Sequence, residues 1–320
     1  MQSRAMWPAW PPATARTLSS MAQAHTDNAL LVTWLSTRCP VIVAPAMDHD
    51  MWLSPLVQDQ VRTLAQHKTQ IIPPAHGSLA SGLVGEGRLQ EPIQLLKHLE
   101  CFFLKTKDLK GKTFLISSGG TREALDPVRF LGNESTGKMG ATLADVAKAA
   151  GATVWFAQGK NSQEPVLTPD RVFPFKSALD LQQIMERQSP AADYIFMAAA
   201  VADYRPKQQE SQKIKKQSGG LNQIDLTENP DILKGLAGLP KRGTLVGFAL
   251  ETENGMQHAR QKLERKKVDF LVLNSMEHKG AGLGHDTNKV SILRPGKEEM
   301  HLPLQSKLQT AVQLINTICS

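Results

Sequence analysis

Between Ile116 and Gly140 the chain reads ISSGGTREALDPVRFLGNESTGKMG, and this stretch limits the possible folds more than any other. An apolar strand, Thr113 to Ser117, stops at the pair Gly119 and Gly120. A polar loop follows, and Ser135, Thr136 and Gly137 open a helix. Strand, glycine turn and helix N-terminus in that order present backbone N–H groups to an anionic ligand at the edge of an α/β sheet. No G-x-G-x-x-G occurs, which disfavours an NAD-type dehydrogenase. The loop is crowded with functional groups: Arg122, Asp126, Arg129, Asn133, Ser135 and Lys138. The plain alternative is turn chemistry, since glycines commonly follow strands and Ser-Thr-Gly caps a helix by itself.

The rest of the chain after residue 105 keeps to the same grammar. Apolar runs predict strands at Thr113–Ser117, Thr153–Ala157, Val172–Phe175, Tyr194–Ala199, Thr244–Leu250, Phe270–Leu273 and Val290–Arg294. Helices are expected at Met139–Ala150, Ala178–Arg187, Pro230–Leu236, Met256–Lys267 and Gln305–Ile318. Such alternation implies a Rossmann-like, doubly wound, mostly parallel sheet covered on both faces, occupying residues 106–320. Residues 1–105 read as a partial flavodoxin-like α/β segment. It offers two strands, in Cys39–Ala46 and Gln70–Pro73, two helices, Val57–His67 and Pro92–Leu104, and a glycine-rich tract from Ala75 to Arg88.

The net charge of +7 does not imply nucleic acid, because the basic residues are scattered and no aromatic–basic alternation occurs. An acidic small molecule accounts for it equally well. Three distant cysteines, Cys39, Cys101 and Cys319, have no metal spacing and fit a reducing compartment. No apolar run reaches membrane-spanning length, and MQSRAMWPAWPP lacks the core of a signal peptide. A cytoplasmic protein is expected.

A second constellation lies downstream. In YIFMAAAVADYR an apolar strand ends in small residues and delivers Asp203 at its carboxyl end. KIKK (Lys213–Lys216) follows in a polar stretch expected to be a mobile loop, then TENPDILKGL, then LVGFALET. Lys262 and Lys266, four apart, share one helix face. Asp203 could equally cap a turn, and the lysines could be solvated surface. Together these groups supply two positive regions, a carboxylate suited to a metal and a lysine on a closing loop. Nucleotidyl transfer to a carboxylate needs that set, because positive charge must meet the developing negative charge at phosphorus and water must be kept out.

In this order, GGTRE-x-x-DPVR-F-x-x-N-x-S-T-GKMG, AAAVADYR, KIKK, NPDI and GFALET resemble the phosphopantothenate–cysteine ligase domain of bifunctional coenzyme A biosynthesis proteins, over about Leu109–Cys319. The resemblance implies activation of 4′-phosphopantothenate by CTP to an acyl-cytidylate, then amide formation with cysteine. It implies that Lys213 promotes the first step and that Asn133 holds the intermediate and permits its conversion. Arg129, Asn133 and Ala200 would contact phosphopantothenate. The CTP site would comprise Met197, Ala198, Ala199, Asp203, Lys213, Pro230, Asp231, Ile232, Leu233, Phe248, Lys262 and Lys266. Mg2+ is expected with the triphosphate, with Asp203 as its protein ligand, and the domain is expected to work as a homodimer.

Before residue 105, VIVAPAMDHDMW and SLASGLVGEGRLQEP resemble the second half of an FMN-dependent decarboxylase domain. Asp48 stands where the family's P-A-M-N motif has asparagine, and Ser81 where many members place a cysteine. The family's first strands and active-site histidine have no counterpart, since His25 and His49 lie outside that motif. The expectation is therefore a truncated or frameshifted flavin segment, with decarboxylation lost and FMN binding in question. The alternative to an enzyme is a non-catalytic regulatory partner of an intact decarboxylase. Retention of Asn133 and Lys213 argues against it.

Overall fold

The computed structural model describes residues 9–67, 69–104, 107–215, 223–251, 255–275 and 285–319. The chain divides into two compact units, Met1–Leu99 and Glu100–Ser320.

In the first unit, β1 (Ala9–Ala13) leads into α1 (Ala15–Ala22) and α2 (Ala29–Ser36), capped by the side chains of Thr14 and Asn28. Then come β2 (Val41–Pro45), α3 (His49–Leu53), α4 (Pro55–Gln66) and β3 (Thr69–Ile71). The three strands form a parallel sheet in the order β1-β2-β3. Leu18, Met21, Leu31, Val43, Trp52 and Leu64 make its core. A hairpin of β4 (Ala75–Ser78) and β5 (Val84–Arg88) precedes α5 (Pro92–Phe103), within which the unit boundary falls. The expectation of two strands is thus corrected to three and a hairpin. The sequence AWPPA reads as a loop because proline donates no ladder hydrogen bond, yet β1 lies at a sheet edge, where proline is tolerated.

The second unit begins with β6 (Thr113–Ser118), a hairpin of β7 (Arg122–Ala124) and β8 (Phe130–Gly132), and α6 (Lys138–Ala149). It continues through β9 (Thr153–Gly159), β10 (Arg171–Phe175), α7 (Ala178–Gln188) and β11 (Tyr194–Met197). A hairpin of β12 (Tyr204–Pro206) and β13 (Leu226–Glu228) leads to α8 (Ile232–Ala237), β14 (Thr244–Glu251), α9 (Gly255–Lys266) and β15 (Phe270–Ser275). The short strands β16 (Thr287–Asn288), β17 (Val290–Leu293), β18 (Met300–His301) and β19 (Gln305–Ser306) precede α10 (Lys307–Ile318).

Among the described residues one eight-stranded sheet runs β10-β9-β6-β11-β14-β15-β17-β18, parallel as far as β15 and antiparallel beyond it. This is the doubly wound, mostly parallel fold expected. Alternate strand residues feed the two faces. Phe114, Ile116, Phe156 and Phe196 pack beneath α6 and α10, while Leu115, Ile195, Leu245 and Leu271 pack beneath α7, α8 and α9. The chain winds outward from β6 to β10, then returns and winds the other way from β11. Strand order therefore reverses between β6 and β11, the place where open α/β sheets leave a crevice.

Close packing holds α6 against that crevice. An added Cβ at Gly140 would lie 2.5 Å from Cβ and Oγ of Ser118, and Ser118 Oγ donates to the Gly137 carbonyl at 2.8 Å. Gly140→Ala is expected to push α6 off β6 and destabilise the unit by about 1–3 kcal/mol. A urea midpoint unchanged from the parent would show that the helix has room to shift.

Candidate active site

The loops after β6 and β11 are stitched together where the strands end. Ala200 N–H donates to the Gly119 carbonyl (2.8 Å), Thr121 N–H to the Ala200 carbonyl (3.1 Å), and Ala202 N–H to Thr121 Oγ1 (3.0 Å). Gly119 adopts φ +92°, and a Cβ there would meet Ser162 at 2.7 Å, so the turn requires glycine. At Gly120 a Cβ would lie 2.9 Å from the Asn133 carbonyl, so glycine lets the 133 loop close on this floor. Asn133 Nδ2 then donates to the Val201 carbonyl at 3.2 Å.

Above this floor lies a cavity of about 970 Å3. The start of α6 (Ser135 to Gly140) forms one wall and Met197 to Asp203 another. Gly137, at φ +76°, is the N-cap of α6 and offers no side-chain cap; Lys138 N–H donates weakly to Thr136 Oγ1 (3.5 Å), and the next N–H groups face the cavity's anion-binding end. On the far side are Asn229 to Lys234, Phe248, Lys262, Arg265 and Lys266. Asn229 anchors that wall: its N–H donates to the Asp203 carbonyl and its Nδ2 to the Ala202 carbonyl, each at 2.8 Å.

Met197, Ala198, Ala199, Ala200, Asp203, Pro230, Asp231, Ile232, Leu233, Phe248, Lys262, Lys266 and Asn133 all line this one cavity. Lys266 is ion-paired with Asp231, which also caps α8 through the Lys234 N–H. Burial opposes the Asp231 charge, but hydrogen bonds from Lys266 and Lys234 and the charges of Lys266 and Arg265 outweigh it, leaving the carboxyl below its usual pKa.

Arg129 and Lys213 are not among the lining residues of either cavity described here. Arg129 Nη1 donates to Asp126 Oδ2 (2.8 Å) and to the Ile214 carbonyl (3.1 Å). The buried Asp126 carboxylate also accepts from the N–H groups of Val128 and Arg129 (2.7 Å each) and Ile214 (3.2 Å). Asp126 and Arg129 thereby clamp the segment that carries Lys213. Lys216, the end of the KIKK motif, lies outside the described residues.

Four features were not anticipated. Asn274 reaches the large cavity from the end of β15, and its buried Oδ1 has no hydrogen-bond partner among the described residues. Lys307, at the start of α10, donates to Asn288 Oδ1 (2.9 Å) and the His285 carbonyl (2.5 Å). Burial, then the nearby Lys138 charge, lowers its pKa. Lys138 itself pairs with Asp286 at 2.7 Å. The fourth is a second cavity of about 530 Å3 that includes Arg122, Phe130 and Lys160 and shares Asn133 to Thr136 with the first. Sequence spacing carries no signal for these, because each joins segments far apart in the chain.

Among the described residues no group of three His, Cys, Asp or Glu side chains could enclose a metal ion. A lone carboxylate such as Asp203 suits magnesium that takes its other ligands from phosphates and water. No helix among the described residues is long and apolar enough to cross a membrane.

In the first unit the carboxyl edge of β1 passes straight into α1, with Thr14, Arg16 and Thr17 at its first turn. Beside β2, Met47 N–H donates to the Gly87 carbonyl (2.9 Å), and His49 Nδ1 lies 3.1 Å from the Glu86 carbonyl. Ser81 lies in the turn between β4 and β5. A helix start with hydroxyls and an arginine at a parallel-sheet edge fits the phosphate of a flavin nucleotide.

Comparison with known proteins gives these features a family. The profile described as "DNA/pantothenate metabolism flavoprotein C-terminal domain" matches residues 109–320, and "Flavoprotein" matches residues 11–103. The coenzyme A biosynthesis bifunctional protein CoaBC of Bacillus subtilis (strain 168) is 39% identical over 97% of this chain and 76% of its own length. A "Cysteine/Cysteine sulfinic acid decarboxylase" from an unknown prokaryotic organism is 40% identical, over 96% of this chain and 87% of its own. The crystal structure of a CoaBC C-terminal domain superposes with a TM-score of 0.55 at 34% identity, covering 67% of this chain and 96% of that one.

These matches overturn the reading of the N-terminal part as a remnant without decarboxylase function. The flavoprotein profile spans residues 11–103, and full-length bifunctional relatives align across both units. The expectation rested on first strands and a histidine without counterpart, whereas the flavoprotein profile matches the segment that is present. The chain belongs to the family of CoaBC-type coenzyme A biosynthesis bifunctional proteins, with the DNA/pantothenate metabolism flavoprotein C-terminal domain at residues 109–320.

Proposed function

We propose that residues 106–320 are a phosphopantothenate–cysteine ligase using CTP, and that residues 1–105 supply a flavin-dependent decarboxylase segment acting on the cysteinyl product. The observation that carries the ligase reading is one cavity at the strand-order reversal, bounded by Asn133, the open start of α6 and the basic face of α9. The phosphopantothenate carboxylate attacks the α-phosphorus of CTP, and pyrophosphate leaves with the bonding electrons. Lys213 and the lysines of α9 meet the charge that develops there. Asn133, Arg129 and Ala200 hold the acyl part. The cysteine amine then attacks the acyl carbon, the carbon–oxygen bond to phosphate breaks, CMP departs, and the amine's protons pass to water. Asp203 would hold magnesium, which would neutralise charge on the phosphates.

For the N-terminal segment, support comes from the flavoprotein profile and from the relative named as a decarboxylase of cysteine compounds. FMN would be held at its phosphate by Thr14, Arg16 and Thr17, and when bound it supplies the redox chemistry of decarboxylation. The protein is read as a cytoplasmic homodimer.

The test is pyrophosphate release with 4′-phosphopantothenate, CTP and Mg2+, with and without cysteine, followed by assay of amide and carbon dioxide. Cysteine-dependent amide formation is expected, with CTP preferred over ATP. A folded protein that releases no pyrophosphate with either nucleotide would reject the ligase reading.

A further inference from the structure

We propose that the smaller cavity beside Asn133 is the docking site for the amino-acid substrate of the ligase, taken as a zwitterion. This rests on the ligase reading above. Two cationic residues, Arg122 and Lys160, and one acidic residue, Glu134, line the cavity. None of the three side chains forms an ion pair with a described residue; Arg122 instead lies over the Phe130 ring, 4.5 Å from its centroid. The cations are brought together by the backbone. Lys160 N–H donates to the Phe175 carbonyl (3.2 Å) and Arg122 N–H to the Lys176 carbonyl (2.7 Å), consecutive residues where β10 ends. The β7–β8 hairpin and the loop after β9 are thus hung from one point of the sheet, and each contributes a basic residue to the lining of the same cavity.

The chemistry distinguishes ligands. A phosphate would gain from Arg122 and Lys160 but would be repelled by Glu134. An α-amino acid uses all three groups: carboxylate toward the cations, ammonium toward Glu134. Position agrees with this. Asn133 to Thr136 line both cavities, so a nucleophile in the smaller one and a nucleotide in the larger one meet at the loop that carries Asn133. The amine can therefore approach the acyl carbon without crossing the space occupied by the leaving nucleotide.

The test compares cysteine with cysteamine, which lacks the carboxylate, in the full-length protein and in Lys160→Met and Glu134→Gln. Lys160→Met is expected to raise KM for cysteine about tenfold, leave KM for cysteamine unchanged, and so shrink the preference between them. Glu134→Gln is expected to raise KM for both amines. Pyrophosphate release without any amine should keep its rate and its KM for phosphopantothenate in Lys160→Met. A raised KM for phosphopantothenate with cysteine unaffected would assign the cavity to the phosphate instead and overturn the proposal. Unchanged cysteine kinetics in both active variants would overturn it too. Absence of pyrophosphate release from the parent protein would be a different failure, that of the ligase reading itself.

Discussion

Lys213→Ala is expected to slow pyrophosphate release by about 10²–10³-fold, the loss typical when one preorganised charge at a reacting phosphoryl or acyl centre is removed. Lys213 is exposed and adds nothing to the core, so thermal stability should stay within about 0.5 kcal/mol of the parent. Lys213→Arg should restore little, since a planar guanidinium does not reproduce a compact ammonium on a flexible stem. Measured turnover equal to the parent would show that Lys213 is surface charge. The effect should fall on the first half-reaction: pre-formed acyl-cytidylate given to the variant should still react with cysteine at the parental rate.

Asp126→Asn is the second large change expected, and it acts through the same segment. The Asp126 carboxylate receives three backbone N–H groups and the Arg129 guanidinium, and so ties Ile214, the neighbour of Lys213, to the hairpin of β7 and β8. An amide would lose the charge that holds Arg129 and would turn a donor toward groups that are all donors. Pyrophosphate release should fall about tenfold, with KM for cysteine unchanged. Burial opposes the Asp126 charge, but those hydrogen bonds and the Arg129 charge prevail and leave its pKa below the usual carboxylate value. The clamp's contribution is therefore fully present above the ordinary aspartate pKa of about 3.9 and is lost as pH falls through the lowered native value. The Ile214 amide signal should hold steady from neutrality to about pH 4 and shift below it, whereas Asp126→Asn should show no such acid transition. An identical acid shift in the variant would place the titrating group elsewhere.

The sheet was legible because parallel strands buried on both faces must be continuous apolar runs, and Thr113–Ser118 and Tyr194–Met197 are of that kind. The cavity walls were legible where a motif and a strand end coincide, as at Ala198 to Asp203. The first unit was harder. Its edge strand contains two prolines, and the strands of its hairpin are rich in glycine, so both read as loops until a neighbouring segment pairs with them. Arg129 shows a third limit: its motif suggests a ligand contact and carries no sign of its partners in the fold, Asp126 and a carbonyl 85 residues away. Nothing near position 129 in the sequence points to Ile214. Asn274 was missed for a similar reason, as an asparagine ending an apolar strand looks like a turn residue.

The stitching between Gly119, Thr121, Ala200 and Ala202 has a thermodynamic consequence. These hydrogen bonds extend the sheet's ladder past the ends of β6 and β11, so the floor is already ordered before any ligand arrives. Ordering a residue's backbone costs about 1–2 kcal/mol of conformational entropy, and here that cost is met during folding. Binding is left to order the ligands. The amides of Thr121 and Ala200 should accordingly exchange with solvent deuterium as slowly in the empty protein as in the saturated one.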